Sequence, residues 1–339
     1  ASLLHYIFST LGYKSQLAGN IGRGVLDIDP PGNGEIIILE LSSYQIELAR
    51  TLSPDIAIFT NFSADHLERH GGLGGYLAAK RRLFAEGCPD YSVIGVDEMA
   101  GLNLAQQLSV SMGDESIIRV ATKKLIREFG WSVSCENGQL LEYRKGRQTN
   151  SIDLANYDNF VGRHSYQNAA NAYAACRVLG LSPRKVIGAM KGFNGLAHRS
   201  QKIATFNGIT FVNDSKATNV ESAKMSLNAY NNIRWICGGQ QKDGGLLKLN
   251  SVTQSVKRAY IIGLEAKTIS KQLNCKTTVC NDMKKAVEQA TKDSSAGDVV
   301  LLAPAASSFD QYDNFEDRGN DFITQVERVI EISQKTNFT

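Results

Sequence analysis

Five apolar, β-branched runs in this chain share one asymmetry. Each ends at its C-terminal side in a polar or glycine-rich cluster and carries no such cluster at its start. Glu35-Ile36-Ile37-Ile38-Leu39 leads into Glu40-Leu41-Ser42-Ser43, and Ile56-Ala57-Ile58-Phe59-Thr60 leads into Asn61-Phe62-Ser63-Ala64-Asp65-His66. Ile209-Thr210-Phe211-Val212 leads into Asn213-Asp214-Ser215-Lys216-Ala217-Thr218-Asn219. Ile233-Arg234-Trp235-Ile236-Cys237 runs into Gly238-Gly239-Gln240-Gln241-Lys242, and Val299-Val300-Leu301-Leu302-Ala303 into Pro304-Ala305-Ala306-Ser307-Ser308. Open parallel sheets bind ligands outside the carboxyl ends of their strands, so the pattern predicts an α/β protein with one or two active clefts at those ends.

At 339 residues the chain exceeds what one core usually serves. Two α/β domains are expected, 1–195 and 196–339, with the boundary near Leu196. In the first, strand-like and helix-like segments alternate up to about residue 120. Residues 131–153, with an Asn137-Gly138 turn signal and Gly146, predict a small β-meander or hairpin inserted there. From Gln201 the alternation resumes through Ile209, Trp235, Tyr260 and Val299 to a helix after Gly319, as in a six-strand doubly wound domain. Leu3, Leu4, Ile7, Phe8 and Leu11 mark an amphipathic helix with no cap, initiator methionine or strand before it. The chain is therefore expected to be a fragment of a longer protein.

A net charge of +3, from 37 basic and 34 acidic residues spread along the chain, gives no basic arm or patch for nucleic acid. No stretch approaches the ~18 apolar residues that cross a bilayer, and no signal pattern opens the chain, so a cytoplasmic location is expected. Six scattered cysteines without a Cys-x-x-Cys pair read as buried free thiols. Small-molecule partners fit this composition.

Several side chains stand out. Glu40 ends an aliphatic run where an unpaired buried charge would be costly, and His66 ends the next strand candidate beside Asp65. Such a pair at neighbouring strand ends suits a divalent metal; the plain alternative is helix capping by Ser42, Ser43 and Asp65. Lys80 falls on the apolar stripe of Leu73, Tyr76, Leu77, Leu83 and Phe84, where a lysine must pair, neutralise, be modified or snorkel. Arg199 follows the domain connector and could reach an anionic ligand. Lys242 lies in a loop flanked by Gly238-Gly239 and Gly244-Gly245 that permits close approach. Ser307-Ser308-Phe309-Asp310-Gln311 offers hydroxyls and backbone N–H groups to a carboxylate, or simply caps a helix. No Gly-x-Ser-x-Gly elbow is present.

Taken together, Gly19-Asn20-Ile21-Gly22, Leu39-Glu40-Leu41-Ser42-Ser43, Asp65-His66, Ala78-Ala79-Lys80, His198-Arg199, the 213–219 segment and Ser307 to Gln311 resemble, in order, the Mur ligases of peptidoglycan synthesis, in particular those adding D-glutamate. The resemblance implies a central P-loop ATPase-like domain lacking its first strand and P-loop, followed by a C-terminal Rossmann-like domain. It implies an ATP-dependent amide ligase that joins D-glutamate to UDP-N-acetylmuramoyl-L-alanine through an acyl phosphate. The piece is expected to be inactive alone for want of the P-loop. Carried over by position, Asn20 would contact the muramoyl substrate, while Glu40, His66 and a carbamylated Lys80 would hold Mg2+. Asn168, Arg199 and Asp214 would hold ATP. Lys80, Lys216 and His66 would be catalytic, and Thr218, Lys242, Ser308, Phe309 and Phe315 would bind D-glutamate. The enzyme would act as a monomer, its site residues converging between the two halves. Arg163-His164-Ser165 departs from the family's common Gln-His-Asn at an adenine-side contact. The rivals are a ligase with another acceptor, such as a folylpolyglutamate synthetase, and a noncatalytic nucleotide-binding module.

Overall fold

The opening amphipathic run forms α1 (Ser2–Thr10), which buries Leu3, Leu4, Ile7 and Phe8. The computed structural model describes residues 1–63, 67–127, 130–155, 157, 160, 162–241 and 244–336. The chain divides into two units, Ala1–Phe193 and Asn194–Thr339.

In the first unit, β1 (Ser15–Gly19) pairs in parallel with β2 (Ile36–Glu40), placing Gly19 opposite Glu40. The sequence pattern did not reveal β1, because only Ala18 of its five residues is buried. A capping box opens α2 (Ser43–Leu48): Ser42 Oγ accepts from the Gln45 amide, and the Gln45 side chain accepts from the Ser42 amide. Next come β3 (Ile56–Phe59), α3 (Leu67–His70), α4 (Leu73–Ala85), β4 (Tyr91–Gly95), α5 (Met99–Met112) and β5 (Ile117–Ala121). The three strands run parallel in sequence order.

The segment expected as an inserted hairpin is instead part of the main sheet. Its first strand, β6 (Trp131–Glu136), lies parallel beside β5, and β7 (Gln139–Arg144) and β8 (Arg147–Asp153) extend the edge antiparallel, giving the order β3-β4-β5-β6-β7-β8. The reason is shared burial: Trp131, Val133, Cys135 and Leu140 join Val93 and Ile118 in one core with α1, α6 (Arg163–Val178) and α7 (Pro183–Met190). Alternate residues of the same strands, Ile94, Ile117 and Ala121, face a second core with Phe84, Leu104 and Leu108 of α4 and α5. This period of two explains why the central strands read as continuous apolar runs.

Among the described residues of the first unit, a carboxylate lies inside the core. Glu142 of β7 is buried and accepts hydrogen bonds from Tyr173 Oη (2.7 Å), Asn150 Nδ2 (2.7 Å), Arg177 Nε (3.0 Å) and Arg144 Nε (3.1 Å). Burial alone would raise its pKa; Tyr173, Arg177 and Arg144 outweigh that and hold it below the ordinary carboxylate value.

The second unit carries β9 (Gln201–Phe206), β10 (Ile209–Asn213), α8 (Val220–Ala229), β11 (Ile233–Gly238), β12 (Val256–Ile262), α9 (Ala266–Gln272), β13 (Thr277–Asn281), α10 (Met283–Lys292), β14 (Val299–Leu302) and α11 (Phe315–Thr336). The sheet order is β13-β12-β11-β14-β10-β9, with only β9 antiparallel. Trp235, Cys237, Ala259, Ile261 and Leu301 face one core, and Ile236, Tyr260, Ile262, Val300 and Leu302 the other. The chain leaves β10, builds outward from β11 to β13, and returns to insert β14 between them. The strand order thus reverses around β14, where a doubly wound sheet opens its crevice. The last helix begins at Phe315 rather than after Gly319. Gly319 lies within it because a Cβ there would stand 2.1 Å from His198 Nδ1.

Four thiols, Cys135, Cys176, Cys237 and Cys280, are buried and free as expected; Cys275 is half-buried, and Cys88 departs from the expectation by lying exposed.

Candidate active site

In the first unit, the parallel pairing of β1 and β2 brings two of the nominated residues together. Asn20 Nδ2 lies 3.3 Å from Glu40 Oε1, and the Asn20 amide donates to the Glu40 carbonyl at 2.7 Å. Gly19 allows this approach: its φ is +110°, and a Cβ would come within 2.2 Å of the Glu40 carbonyl oxygen. Glu40 is half-buried, not the deeply buried charge its aliphatic run hinted at.

Lys80 is also half-buried, with Nζ 5.0 Å from the centre of the Tyr76 ring. Tyr76, Ala79 and Phe84 supply the buried face of α4. His66 lies outside the described residues. Among the described residues no group of three His, Cys, Asp or Glu side chains is placed to hold a metal. Two of the three donors nominated for Mg2+ suit a hard cation, since Glu40 offers carboxylate oxygens at a partly open strand end and a carbamylated Lys80 would add oxygens rather than nitrogen.

Asn168 is exposed on α6. Its neighbour Gln167 anchors that part of the helix, accepting from Asn61 Nδ2 at 2.9 Å. Asn61 follows β3, and the ends of β4 and β5 are tied by Asp97, whose carboxylate accepts from the Thr122 amide, the Thr122 hydroxyl and the Lys123 amide at 2.7–3.0 Å. Sequence reasoning missed Asp97 and Gln167. The only signal available was their position directly after a strand or at a helix start. At the departure from the family pattern, Ser165 Oγ lies 3.3 Å from His164 Nε2, and burial lowers the His164 pKa.

In the second unit, the segment after β10 is held on both sides. The Lys216 amide donates to the His198 carbonyl at 3.0 Å, and the Ala305 amide donates to the Ala217 carbonyl at 2.9 Å. The Ala217 amide donates to the Asp214 carbonyl and the Thr218 amide to the Lys216 carbonyl, closing a tight turn. Lys216 Nζ lies 3.8 Å from the centre of the Phe315 ring, and Thr218, in the same segment as Lys216, is half-buried. Asp214 is only 8% exposed. Burial pushes its carboxyl above the ordinary range, against the opposing pull of the Ser226 hydroxyl, the Ser200 amide and the Arg199 charge. Ser226 Oγ donates directly to Asp214 Oδ2.

Arg199 is exposed between His198 (φ +61°) and Ser200 (φ +45°), two left-handed non-glycine residues. Ala305, on the loop that meets Ala217, is left-handed as well (φ +59°). Such conformations each cost about 1–3 kcal/mol and persist only where surrounding bonds impose them. His198 supplies part of that imposition. Its ring is buried, faces Phe315 edge-on at 6.2 Å, and accepts at Nδ1 from Asn213 Nδ2 at 3.0 Å. Asn213 Oδ1 accepts from the Ser215 amide, which fixes the amide's orientation. Burial lowers the His198 pKa, with Glu316 pulling weakly the other way.

Ser308 is buried, and its carbonyl accepts from the Gln311 and Tyr312 amides, so it closes a turn before α11. Phe309 beside it is 70% exposed. The loops after β11 and β14 are joined by reciprocal Gln240 and Ser307 backbone bonds at 3.0 Å. Lys242 lies outside the described residues.

Arg318, which sequence reasoning also missed, is 1% exposed and locks two of these loops. Nε donates to Ser215 Oγ and an NH2 nitrogen to the Ser215 carbonyl, both at 3.0 Å, and the other terminal nitrogen to the Ala306 carbonyl at 3.1 Å. Burial pushes its pKa down to about 10, with Asp310 and Tyr312 opposing.

Comparison with known proteins gives the family. Residues 25–176 match the Mur ligase middle domain, and residues 198–306 match the glutamate ligase domain of Mur ligases. A protein of Ruegeria pomeroyi named UDP-N-acetylmuramoylalanine–D-glutamate ligase is 55% identical over 331 residues, 98% of this chain and 71% of that protein. One of the same name from a Jannaschia species is 57% identical over 97% of this chain and 72% of its own length. Among solved structures, the UDP-N-acetylmuramate-alanine ligase of Thermotoga maritima superposes with a TM-score of 0.65 at 17% identity, covering 99% of this chain and 72% of that one. A 2,6-diaminopimelate-adding ligase gives 0.67 at 17% identity over 98% of this chain and 76% of its own. These two share the fold, and the sequence relatives carry the family: the chain belongs to the Mur ligases.

Proposed function

We propose that the protein joins D-glutamate to UDP-N-acetylmuramoyl-L-alanine with hydrolysis of ATP to ADP and phosphate. The observation that carries this is the 55% identity, along 98% of the chain, to a ligase named for that substrate and amino acid. The substrate carboxylate attacks the γ-phosphorus of ATP, an O–P bond forms, and ADP departs. The D-glutamate amine then attacks the acyl carbon of the acyl phosphate, phosphate leaves, and the amine gives up its proton as the amide forms. Lys216, stationed over Phe315, offsets negative charge on the phosphoryl oxygens. Asp214 and Arg199 hold the nucleotide, with Asn168 beside the base.

The two carboxylates of D-glutamate need cationic and hydroxyl donors, the roles of Lys242, Thr218 and Ser308, with Phe309 and Phe315 flanking its carbon chain. Asn20 orients the muramoyl substrate. Glu40, His66 and a carbamylated Lys80 would hold Mg2+, which when bound neutralises phosphate charge during transfer. The reaction belongs in the cytoplasm, where nucleotide-linked precursors and ATP occur together, and the protein acts on these small molecules as a monomer.

Phosphate release by the full-length protein tests this. It should require both UDP-N-acetylmuramoyl-L-alanine and D-glutamate; release without the amino acid, or none with all three substrates, would count against the proposal.

A further inference from the structure

The imidazole of His70 lies at a junction that the reaction outlined above does not use. It ends α3, and its side chain is 1% exposed. Nδ1 is 3.3 Å from Glu47 Oε1 on α2, and Nε2 is in hydrogen-bond contact with Ser43 Oγ at 2.9 Å. Its ring sits 5.5 Å from Tyr44 and 5.3 Å from Tyr76. Tyr76 stacks in turn on Phe62 at 5.2 Å and carries Lys80 over its face, one helical turn further along α4. Ser43 lies three residues after Glu40, so one side chain ties the segment leaving β2 to the helix that bears Lys80.

We propose that His70 is a positioning residue for the ligase reaction, bracing the segment after Glu40 against the Tyr76 ring on which Lys80 rests. Both ring nitrogens face α2 and the ring packs on Tyr76 of α4, so removing the imidazole loosens the start of α2 and the ring under Lys80 together. This rests on the proposed roles of Glu40 and Lys80. Metal-site residues are held by such outer partners, and losing one weakens metal affinity or activity by about 10- to 100-fold.

The test uses the full-length protein carrying His70→Leu, which keeps bulk but no nitrogens, His70→Gln, which keeps a donor and an acceptor, and Val287→Ala, a control cavity in the core of the second unit. Lys80 acetylation by a pulse of acetic anhydride is read by mass spectrometry, and the Mg2+ concentration for half-maximal product formation is read separately. In His70→Leu, Lys80 should acetylate several-fold faster and the Mg2+ requirement rise about tenfold or more. His70→Gln should recover most of both, and Val287→Ala should move neither. Unchanged Lys80 labelling in His70→Leu overturns the brace, and changed labelling with unchanged Mg2+ dependence overturns its role in the reaction. If no variant, nor the parent, forms the D-glutamate product while labelling still changes, the proposed function fails and the brace stands.

Discussion

Asp214 is held as a carboxylate site against its own burial, and that conflict makes it separable from stability. Its folded pKa lies above the unfolded value, so between the two values the folded state binds more protons and stability falls as pH rises. Ionising Asp214 in the folded protein is therefore a net cost to the fold. Asp214→Asn keeps an oxygen for Ser226 Oγ and the Ser200 amide, and should melt no lower than the parent at pH 7.5. Because a hydrogen bond to a charged group is worth about 1.5–3 kcal/mol, the same change should weaken ATP by ~10- to 100-fold in equilibrium binding.

Lys216→Ala should lower kcat by about 10²–10³, as loss of one preorganised donor to developing charge does. Steady-state kinetics would show this with little change in the melting temperature, because the Lys216 side chain is only half-buried.

The 213–219 segment was legible in the sequence because an acid, a cation and hydroxyls leave one strand within seven residues. Arg318 was not. Its partner Ser215 is 103 positions away, and nothing local to it separates a buried anchor from an ordinary helix-surface arginine. His70 and Asp97 were hidden for the same reason, since their roles come from pairings across 27 and 25 positions. Arg318→Met would leave the Ser215 and Ala306 carbonyls unmet at about 1–3 kcal/mol each, and should lower the denaturation midpoint clearly.

At the scale of elements, period-two burial made the central strands readable, and their polar C-terminal ends nominated the loops on which the proposed function draws. What failed were elements without a strong pattern: β1, with a single buried residue, and α11, whose start was placed at a glycine that is there for His198. The β6 to β8 strands were seen but not their continuity with the main sheet, because which neighbour a strand pairs with depends on the core it shares.

That edge carries its own prediction. The folded pKa of Glu142 is depressed, so its contribution is present above the unfolded carboxylate value and is lost as pH falls through the folded one. Urea midpoints measured from pH 7 down to pH 3 should drop less steeply in Glu142→Gln than in the parent, although the variant starts lower because Arg144 and Arg177 lose their counter-charge. Where β1 meets β2, Gly19→Ala should raise the KM for the muramoyl substrate more than that for ATP, since the added Cβ displaces the Glu40 carbonyl and with it the Asn20 contact.

Over the whole molecule, the residues proposed for nucleotide, metal and amino acid are drawn from both units, so a change in either should affect the one reaction. Neither unit's fold selects the acceptor, because ligases adding alanine and diaminopimelate share it at 17% identity. On the proposed function, selection falls to individual side chains around Lys216, Thr218 and Ser308. The most direct measurement offers the full-length protein ATP, Mg2+, UDP-N-acetylmuramoyl-L-alanine and an equimolar mixture of D-glutamate, L-glutamate, glycine, L-alanine and diaminopimelate, and weighs the nucleotide-linked products by mass spectrometry. A product extended by D-glutamate, absent when the L enantiomer replaces it, is the expected result. Dominant extension by any other amino acid would contradict the assignment.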